Sequence, residues 1–355
     1  MEMIAMHLPQ FHEIPENNEW WGEGFTEWTC LKRKNKYADD YMPLLGEYDL
    51  LKKETMEMQN KLAKEYGVSA FCYYHYYFAG KKLLEKPVEN LLKWTDINQK
   101  FCFCWANHDW KKVVNGVSEM LVEQVYGNKQ DWARHFDYLK QFFLDERYIK
   151  INNKPLFIIL NVEFQERQDI VDYFNSCCKE IGFDGIYYVQ SLYYEDKIKH
   201  LTKEVDAVVL REHIYSWKSS ISIVRRMINK IRRKLQLPQI FSAEAIMRAS
   251  LKNAQNFPHA QKYFLGAFSM FNNTYRHGGR GYIIKKPRKD FFRNYIKELN
   301  RIAEEKKIEY CFFTAWNEWA EGQCLEPDTK NGYMFLEGIR DALNPNFQSN
   351  AEETK

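Results

Sequence analysis

Short apolar runs alternate with longer amphipathic stretches along the whole chain. The apolar runs are rich in aromatic and branched residues and predict eight β-strands, at Met3–Leu8, Ser69–Tyr76, Lys100–Ala106, Pro155–Asn161, Gly185–Ser191, Ala207–Glu212, Phe264–Phe271 and Tyr310–Ala315. Between them, apolar residues at helical spacing predict helices at Lys53–Tyr66, Asp131–Glu146, Glu166–Ile181, Trp217–Leu237 and Lys289–Lys306. The repeated alternation of strand and helix predicts an α/β fold of the (β/α)8 TIM barrel type.

A doubly wound parallel sheet has the same alternation, so loop motifs must separate the two folds. No glycine-rich GxGxxG loop and no Walker loop follows a predicted strand, which favours the barrel. Residues 1–345 are therefore predicted to form a single (β/α)8 catalytic domain, and residues 346–355 a polar C-terminal tail. The connection from His12 to about Tyr48 is long and aromatic, so we predict long functional loops on the catalytic face.

Polar and aromatic residues cluster where the predicted strands end. Barrel enzymes hold their chemistry at the carboxyl ends of the strands, so these residues predict the substrate-binding face. The candidate substrate contacts are Tyr74, His75, Trp105, Asn107, Trp110, Asn273 and Arg276, joined by Trp21 and Trp28 from the first long loop. For any single His or Asn of this set, the alternative is a hydrogen-bonded structural residue.

Two glutamates follow the last predicted strand, in a segment that also holds Trp316 and Trp319. Glu318 and Glu321 are three residues apart, and on a helical turn their Cβ atoms would lie about 5–6 Å apart on one face. That separation suits two carboxyl groups on either side of one glycosidic bond, and tryptophan suits a sugar ring. We predict Glu318 and Glu321 as catalytic, with Trp316 and Asn317 as substrate contacts. The alternative is a solvated glutamate pair on a surface turn.

Composition and charge narrow the classes of function. Aromatic residues make up 16% of the 355 residues, and Tyr and Trp suit carbohydrate surfaces. The net charge of +3 predicts no nucleic-acid partner. His75, His108 and Asp109 lack the spacing of a metal motif, so neither a metal nor a cofactor is predicted. With no secretory signal, no long apolar span and cysteines mostly inside apolar runs, the sequence predicts a cytoplasmic protein.

One segment combines strong positive charge with helical periodicity. Arg225–Lys234 carries six basic residues in ten and no acidic one, with apolar residues at helical spacing. A basic amphipathic helix suits the surface of an anionic membrane, so we predict a possible peripheral contact with the inner membrane. The alternative is an ordinary barrel helix whose apolar stripe packs on the sheet.

Long aromatic-rich blocks resemble one known family. Residues 8–17 (LPQFHEIPEN) and 19–28 (EWWGEGFTEW) resemble the opening signature of the WbsX-like proteins, relatives of glycoside hydrolase family 99. Residues 67–78, 101–110 and 315–328 resemble the other blocks, in the family's order. Such proteins often occur in gene clusters that build bacterial O-antigens and capsules.

The resemblance implies a (β/α)8 barrel and retaining chemistry on mannose-type sugars. In the family's characterised hydrolase relatives, the substrate's own 2-hydroxyl attacks the anomeric carbon. Carried over by motif, Glu318 is the base that assists this hydroxyl and Glu321 is the general acid and base at the leaving oxygen. Two blocks depart from the family's pattern: His108 replaces an acid, and Phe271–Arg276 differs from WDNTPR. The identity of the sugar therefore stays open.

The sequence thus predicts an enzyme that acts on glycosidic bonds during assembly or remodelling of bacterial surface polysaccharide. Its substrate is expected to be an oligosaccharide or a lipid-linked glycan. Transfer to a sugar and hydrolysis by an endo-acting mannosidase remain alternatives, because the same groups serve both reactions. A carbohydrate-binding protein without catalysis is a third possibility, against which the glutamate pair argues.

Overall fold

The computed structural model describes residues 1–32, 36–37, 41–114, 117–194, 205–258 and 262–344. Eight strands form its centre: β1 (Glu2–His7), β2 (Val68–Phe78), β3 (Lys100–Trp105), β4 (Lys154–Ile159), β5 (Tyr187–Leu192), β6 (Ala207–Leu210), β7 (Tyr263–Phe268) and β8 (Tyr310–Thr314). Each strand pairs in parallel with the next one along the chain, and β8 pairs with β1, which closes the barrel. The predicted TIM barrel is confirmed, as are all eight predicted strands. The predicted tail, residues 346–355, lies outside the described residues.

Helices cover the outside of the barrel and build part of its loops. Their bounds are α1 (Pro15–Trp21), α2 (Glu27–Leu31), α3 (Lys53–Glu65), α4 (Lys86–Lys93), α5 (Lys129–Phe143), α6 (Arg167–Glu180), α7 (Ile214–Ser220), α8 (Ile223–Lys234), α9 (Ala243–Gln255), α10 (Thr274–His277), α11 (Lys289–Lys306) and α12 (Met334–Leu343). The predicted helix at Trp217–Leu237 is wrong in one respect, because it is split into α7 and α8. Ser222 has extended backbone there, and its hydroxyl accepts the Arg225 N–H at 3.2 Å, which starts a new helix.

Alternate strand residues point into the barrel and out to the helices. The interior is filled by side chains such as Met6, Ile158 and Phe312, and the void between them holds only about 10 Å³. On the outside, Phe103 of β3 packs against Phe142 of α5 with ring centroids 4.9 Å apart. The barrel is thus a packed core, and any ligand must bind at its end.

Short strands in the loops lie mainly beyond the carboxyl ends of the barrel strands. A hairpin pairs Trp110–Val114 with Val117–Val122, a small sheet joins Gln239–Ser242, Tyr282–Lys285 and Phe271–Asn272, and a two-stranded ribbon joins Asn317–Glu318 to Gln323–Cys324. Two further short strands, Lys81–Leu83 and Lys150–Ile151, pair with β2 and β4. The predicted long loops of the catalytic face are therefore present. Within the described residues no helix is both long enough and apolar enough to cross a membrane.

Candidate active site

The segment after β8 holds both predicted catalytic glutamates. Glu318 ends the short strand Asn317–Glu318, and Glu321 ends the 3-10 turn Trp319–Glu321. The left-handed conformation of Gly322, with φ of 56°, reverses the chain so that it pairs back on itself. The pair thus lies on a tight ribbon instead of a helical turn. Both carboxyl groups line one cavity of about 480 Å³ at the carboxyl end of the barrel, so they are not on a solvated surface turn.

The Glu318 carboxyl group is held by a tyrosine and an arginine. The Tyr74 hydroxyl donates a hydrogen bond to Glu318 Oε1 at 2.9 Å, and the Arg211 guanidinium donates to that hydroxyl. Burial, and then the charge of Glu321, raise the pKa of Glu318 to about 7, while Arg211 and the Tyr74 hydrogen bond oppose the rise. A carboxyl group with its pKa near neutrality suits a general base.

The Glu321 carboxyl group shares an arginine with another glutamate. Arg276 Nη1 donates to Glu321 Oε1 at 3.2 Å, and its Nη2 lies 3.2 and 3.3 Å from the two oxygens of Glu27. Glu27 is buried and also accepts the Ala320 N–H at 3.2 Å. Burial raises the pKa of Glu27, and the charge of Arg276 opposes this rise. Arg276 and Glu27 together hold the turn that carries Glu321, whose side chain keeps 29% of its surface exposed.

A third buried glutamate anchors the ribbon from below. Glu326 accepts hydrogen bonds from Trp316 Nε1, Trp319 Nε1 and the Tyr48 hydroxyl, each at 2.8 Å, and from Gln59 Nε2 at 2.7 Å. Burial raises the pKa of Glu326 to about 7, and these donors oppose the rise. The two tryptophans therefore face the protein interior and are fully buried. They fix the glutamate pair in place and offer no stacking surface to a sugar.

Six of the predicted site residues line the cavity: Trp21, Tyr74, Trp110, Arg276, Glu318 and Glu321. The ring of Trp21 stacks on Phe25 with centroids 5.4 Å apart, and Trp110 meets Trp20 edge-on at 5.6 Å. The cavity thus has aromatic walls from two loops and carboxyl groups from the ribbon after β8. Stacking surfaces around a carboxylate pair suit a sugar chain.

Seven predicted residues are not among those lining the cavity: Trp28, His75, Trp105, Asn107, Asn273, Trp316 and Asn317. His75 alternates with Tyr74 and Tyr76, so it points outward, where its Nε2 lies 2.9 Å from His135 Nε2. Burial lowers the pKa of His75 to about 3. Trp105 pairs with His75 across the sheet and faces the same way.

The remaining members of that set hold loops together by hydrogen bonds. Asn317 exchanges two hydrogen bonds with the backbone of Leu8, at 2.8 and 3.1 Å, which ties the ribbon to the end of β1. Asn107 does the same with Asn161, at 2.7 and 2.8 Å. Trp28 Nε1 donates to the Tyr48 carbonyl, and Asn273 Oδ1 accepts the Tyr282 N–H, each at 2.8 Å. These side chains support the cavity without facing it.

The cavity is also lined by residues that the sequence analysis did not name as substrate contacts: Asn17, Glu27, Tyr76, His108, Asp109 and Arg211. Asn17 is buried, and neither polar atom of its side chain has a hydrogen-bond partner among the described residues. An unpaired amide in a cavity wall suits a sugar hydroxyl. Asn17 and Glu27 lie in the opening sequence blocks, and Arg211 follows the sixth strand. The sequence showed where these residues lie along the chain, but it did not show that their side chains face the cavity.

Comparison with known proteins identifies the family. The model of the family described as "Glycosyltransferase WbsX" matches residues 3–339. A protein named "Uncharacterized protein WxcX" from Xanthomonas campestris pv. campestris is 32% identical over 359 residues, which cover 96% of this chain and 49% of that protein. A second strain of the same organism has a counterpart with the same identity and coverage. The chain therefore spans about half the length of the curated relatives it matches.

Solved structures share the fold at low sequence identity. A "Glycoside hydrolase-like protein" superimposes with a TM-score of 0.61 at 13% identity, covering 96% of this chain and 93% of that one. A "GH99 endo-alpha-mannosidase" from Bacteroides thetaiotaomicron gives a TM-score of 0.58 at 14% identity, covering 97% of both chains. At this level of identity the likeness shows the barrel architecture.

Proposed function

We propose that this chain, which belongs to the glycosyltransferase WbsX family, is an enzyme that cleaves and re-forms glycosidic bonds of mannose-type sugars. The observation that carries the proposal is the ribbon after β8, which directs Glu318 and Glu321 into one aromatic-walled cavity. A binding site for sugars needs aromatic walls but no such pair. The family match and the barrel shared with a GH99 endo-alpha-mannosidase support the same substrate class.

The first step breaks the glycosidic bond. The Glu318 carboxylate takes the proton of the substrate's 2-hydroxyl while that oxygen forms a bond to the anomeric carbon. The bond to the leaving oxygen breaks, and the Glu321 carboxylic acid gives its proton to that oxygen. Tyr74 holds the Glu318 carboxylate by its hydrogen bond, and Arg276 holds Glu321. The product of this step is a 1,2-anhydro sugar.

The second step delivers the sugar to an acceptor. Glu321 takes the proton of an acceptor hydroxyl, whose oxygen attacks the anomeric carbon. The bond between the anomeric carbon and O2 breaks, and O2 recovers its proton from Glu318. Two displacements at the same carbon retain its configuration. A sugar acceptor makes the enzyme a transferase, and water makes it a hydrolase.

Transfer to a sugar is the reaction that we propose first, because the family is described as glycosyltransferases. We place it in the assembly or remodelling of bacterial surface polysaccharide, O-antigen or capsule, with an oligosaccharide or lipid-linked glycan as substrate. A cytoplasmic location is part of the proposal, since the described cysteines are free thiols and nearly all are buried. Hydrolysis is the second candidate, favoured by the fold shared with glycoside hydrolases.

Product masses from defined mannose oligosaccharides, free and lipid-linked, test the proposal. With an added acceptor sugar in 18O-labelled water, lengthened or exchanged chains without the label indicate transfer. Shortened chains that carry the label indicate hydrolysis. Glu146→Gln, an exposed change remote from the cavity, is the matched control for Glu318→Gln. Binding of these glycans by wild-type protein without any product would contradict the proposed enzyme and favour a binding protein.

A further inference from the structure

Helix α8 exposes an apolar face to solvent. Its large apolar side chains are between 42% and 75% exposed: Ile223, Val224, Met227, Ile228, Ile231 and the C-cap residue Leu235. None of them belongs to the hydrophobic core. The alternative that the stripe packs on the barrel, as in an ordinary barrel helix, is therefore wrong.

The buried side of α8 is polar. Asn229 is the one residue within the helix that is buried, and its side chain exchanges hydrogen bonds with the backbone of Ile240 at 3.0 and 3.1 Å. At about 100° per residue, the six apolar positions cover an arc of about 140°, and Asn229 lies about 170° from the centre of that arc. The apolar face is thus directed almost straight away from the protein.

Basic side chains border this apolar face on both sides. On the helix circumference Arg225 and Arg232 lie along one edge, and Lys230 and Lys234 lie along the other. Arg226 and Arg233 are nearer the protein body. Among the described residues none of the six pairs with a carboxylate, and α8 itself has no acidic residue.

One kind of partner satisfies both features together. Nucleic acid would pair with the cations but leave the apolar side chains in water. A second copy of the helix would cover the apolar side chains but bring the two sets of cations together. A bilayer with anionic phospholipids accepts apolar side chains at the level of the headgroups and pairs its phosphates with Lys and Arg.

We propose that α8 is an interfacial helix that binds the surface of a bilayer containing anionic phospholipids. Asn229 ties the helix to Ile240, whose strand pairs with Tyr282–Lys285 in the small sheet beyond the carboxyl ends of the barrel strands, so α8 lies at the end of the barrel that holds the cavity. Directly after it, the Gln236 carbonyl packs against the backbone of Gly279, where a methyl group would lie 2.0 Å from the oxygen. Gly279 is three residues from Arg276 of the candidate active site. A bilayer bound by α8 therefore adjoins the segment that carries Arg276.

A consequence of this placement rests on the proposed function. A glycan attached to a lipid carrier would reach the cavity while its lipid stays in the bilayer. Free oligosaccharides would need no bilayer. The enzyme would then favour lipid-linked over free substrates only when α8 is intact and vesicles are present.

Vesicle flotation tests the interfacial helix without any glycan. We expect the wild-type chain to float with phosphatidylcholine vesicles containing about one third phosphatidylglycerol, and to be released by salt at about 1 M. Val224→Asp combined with Ile231→Asp places charges at the centre of the apolar face and should reduce partitioning about tenfold or more. Arg225→Glu combined with Lys230→Glu should do the same on the charged vesicles.

Leu144→Asp is the matched control, because Leu144 is 52% exposed at the end of α5, on the opposite end of the barrel. This variant should float like wild type. Hydrogen exchange of the wild-type chain gives a second readout, in which residues 223–235 should be protected by the charged vesicles. Failure of wild type to float, or equal flotation of the Val224 and Ile231 double variant, would overturn the proposal. So would protection of residues 223–235 that depends on protein concentration instead of vesicles.

The vesicle-binding results do not depend on whether the proposed reaction on glycans is correct. Turnover of free oligosaccharide should be equal in wild type and in the α8 variants. If no glycan is turned over but the vesicle results hold, the proposed function fails and the interfacial helix stands. If flotation fails while free glycans are turned over, the interfacial helix is wrong and the proposed function stands.

Discussion

Three of the carboxyl groups that line the cavity, those of Glu27, Glu318 and Glu321, are held by two guanidinium groups. Arg211 acts on Glu318 through the Tyr74 hydroxyl, whereas Arg276 bridges Glu321 and Glu27. Neighbouring like charges raise pKa values and nearby cations lower them. The two arginines therefore offset the repulsion between the glutamates and allow them to lie around one cavity.

The acidic limb of the pH profile should report Glu318. A base must be ionised, so kcat/KM should rise with pH through about 7, where the pKa of Glu318 lies. Tyr74→Phe removes a hydrogen bond that favours the carboxylate, so the midpoint of this limb should move up by about one pH unit. Tyr76→Phe is the control, since Tyr76 lines the same cavity from the same strand. A Tyr74→Phe pH profile that superimposes on the wild-type profile would show that Glu318 is not the base.

At the scale of elements, the ribbon after β8 depends on the buried Glu326. Four donors converge on its two oxygens, and an amide in its place turns one acceptor into a donor. Glu326→Gln should lower the free energy of unfolding by about 1–3 kcal/mol. Because the ribbon carries the proposed catalytic pair, turnover should fall as well. Denaturant melts and kinetics measure both, with Glu180→Gln, exposed at the C-terminal end of α6, as the control.

Unchanged stability and turnover in Glu326→Gln would show that the ribbon is held by its backbone pairing alone. A loss of stability without any loss of turnover would show that the glutamate pair keeps its geometry when the anchor is weakened. We expect the free energy of unfolding and the turnover of Glu326→Gln to fall together.

The sequence was sufficient for all eight strands, for most of the helices and for the end of the barrel at which the cavity lies. Apolar runs and helical periodicity are local signals, and the ends of the eight strands mark one face of the barrel. The sequence could not predict which side chains face the cavity. His75 and Trp105 stand at the right strand ends but on the outward face, because orientation alternates with each residue and depends on the register.

Pairing between residues far apart along the chain could not be predicted from the sequence either. Glu27 and Arg276 are 249 positions apart, and no local spacing links them. Similarly, the amphipathic pattern of α8 was visible, but the pattern is the same whether the apolar face meets the barrel or the solvent. That choice depends on Asn229 and its hydrogen bonds to Ile240.

In the whole molecule, the features to which we assign a function lie at one end of the barrel. The cavity, the ribbon after β8 and α8 all lie beyond the carboxyl ends of the strands. The opposite end holds the connections from helices back to strands. This division separates the residues that stabilise the fold from those proposed to act on sugars. The proposed catalytic pair, Glu318 and Glu321, lies at this end of the barrel.

Turnover of an activated substrate by variants of Glu318 and Glu321 tests the roles proposed for this pair most directly. Fluoride leaves without protonation and azide attacks without a general base, so with added azide Glu321→Gln should turn over a mannosyl fluoride, of the anomeric configuration of the natural substrate, within about tenfold of wild type. The same variant should lose about a thousandfold or more on the natural type of glycosidic bond. Glu318→Gln should be impaired on both substrates, because the 2-hydroxyl must still be activated. Equal losses of Glu321→Gln on fluoride and glycoside, or full activity of either variant on the glycoside, would contradict the assigned roles.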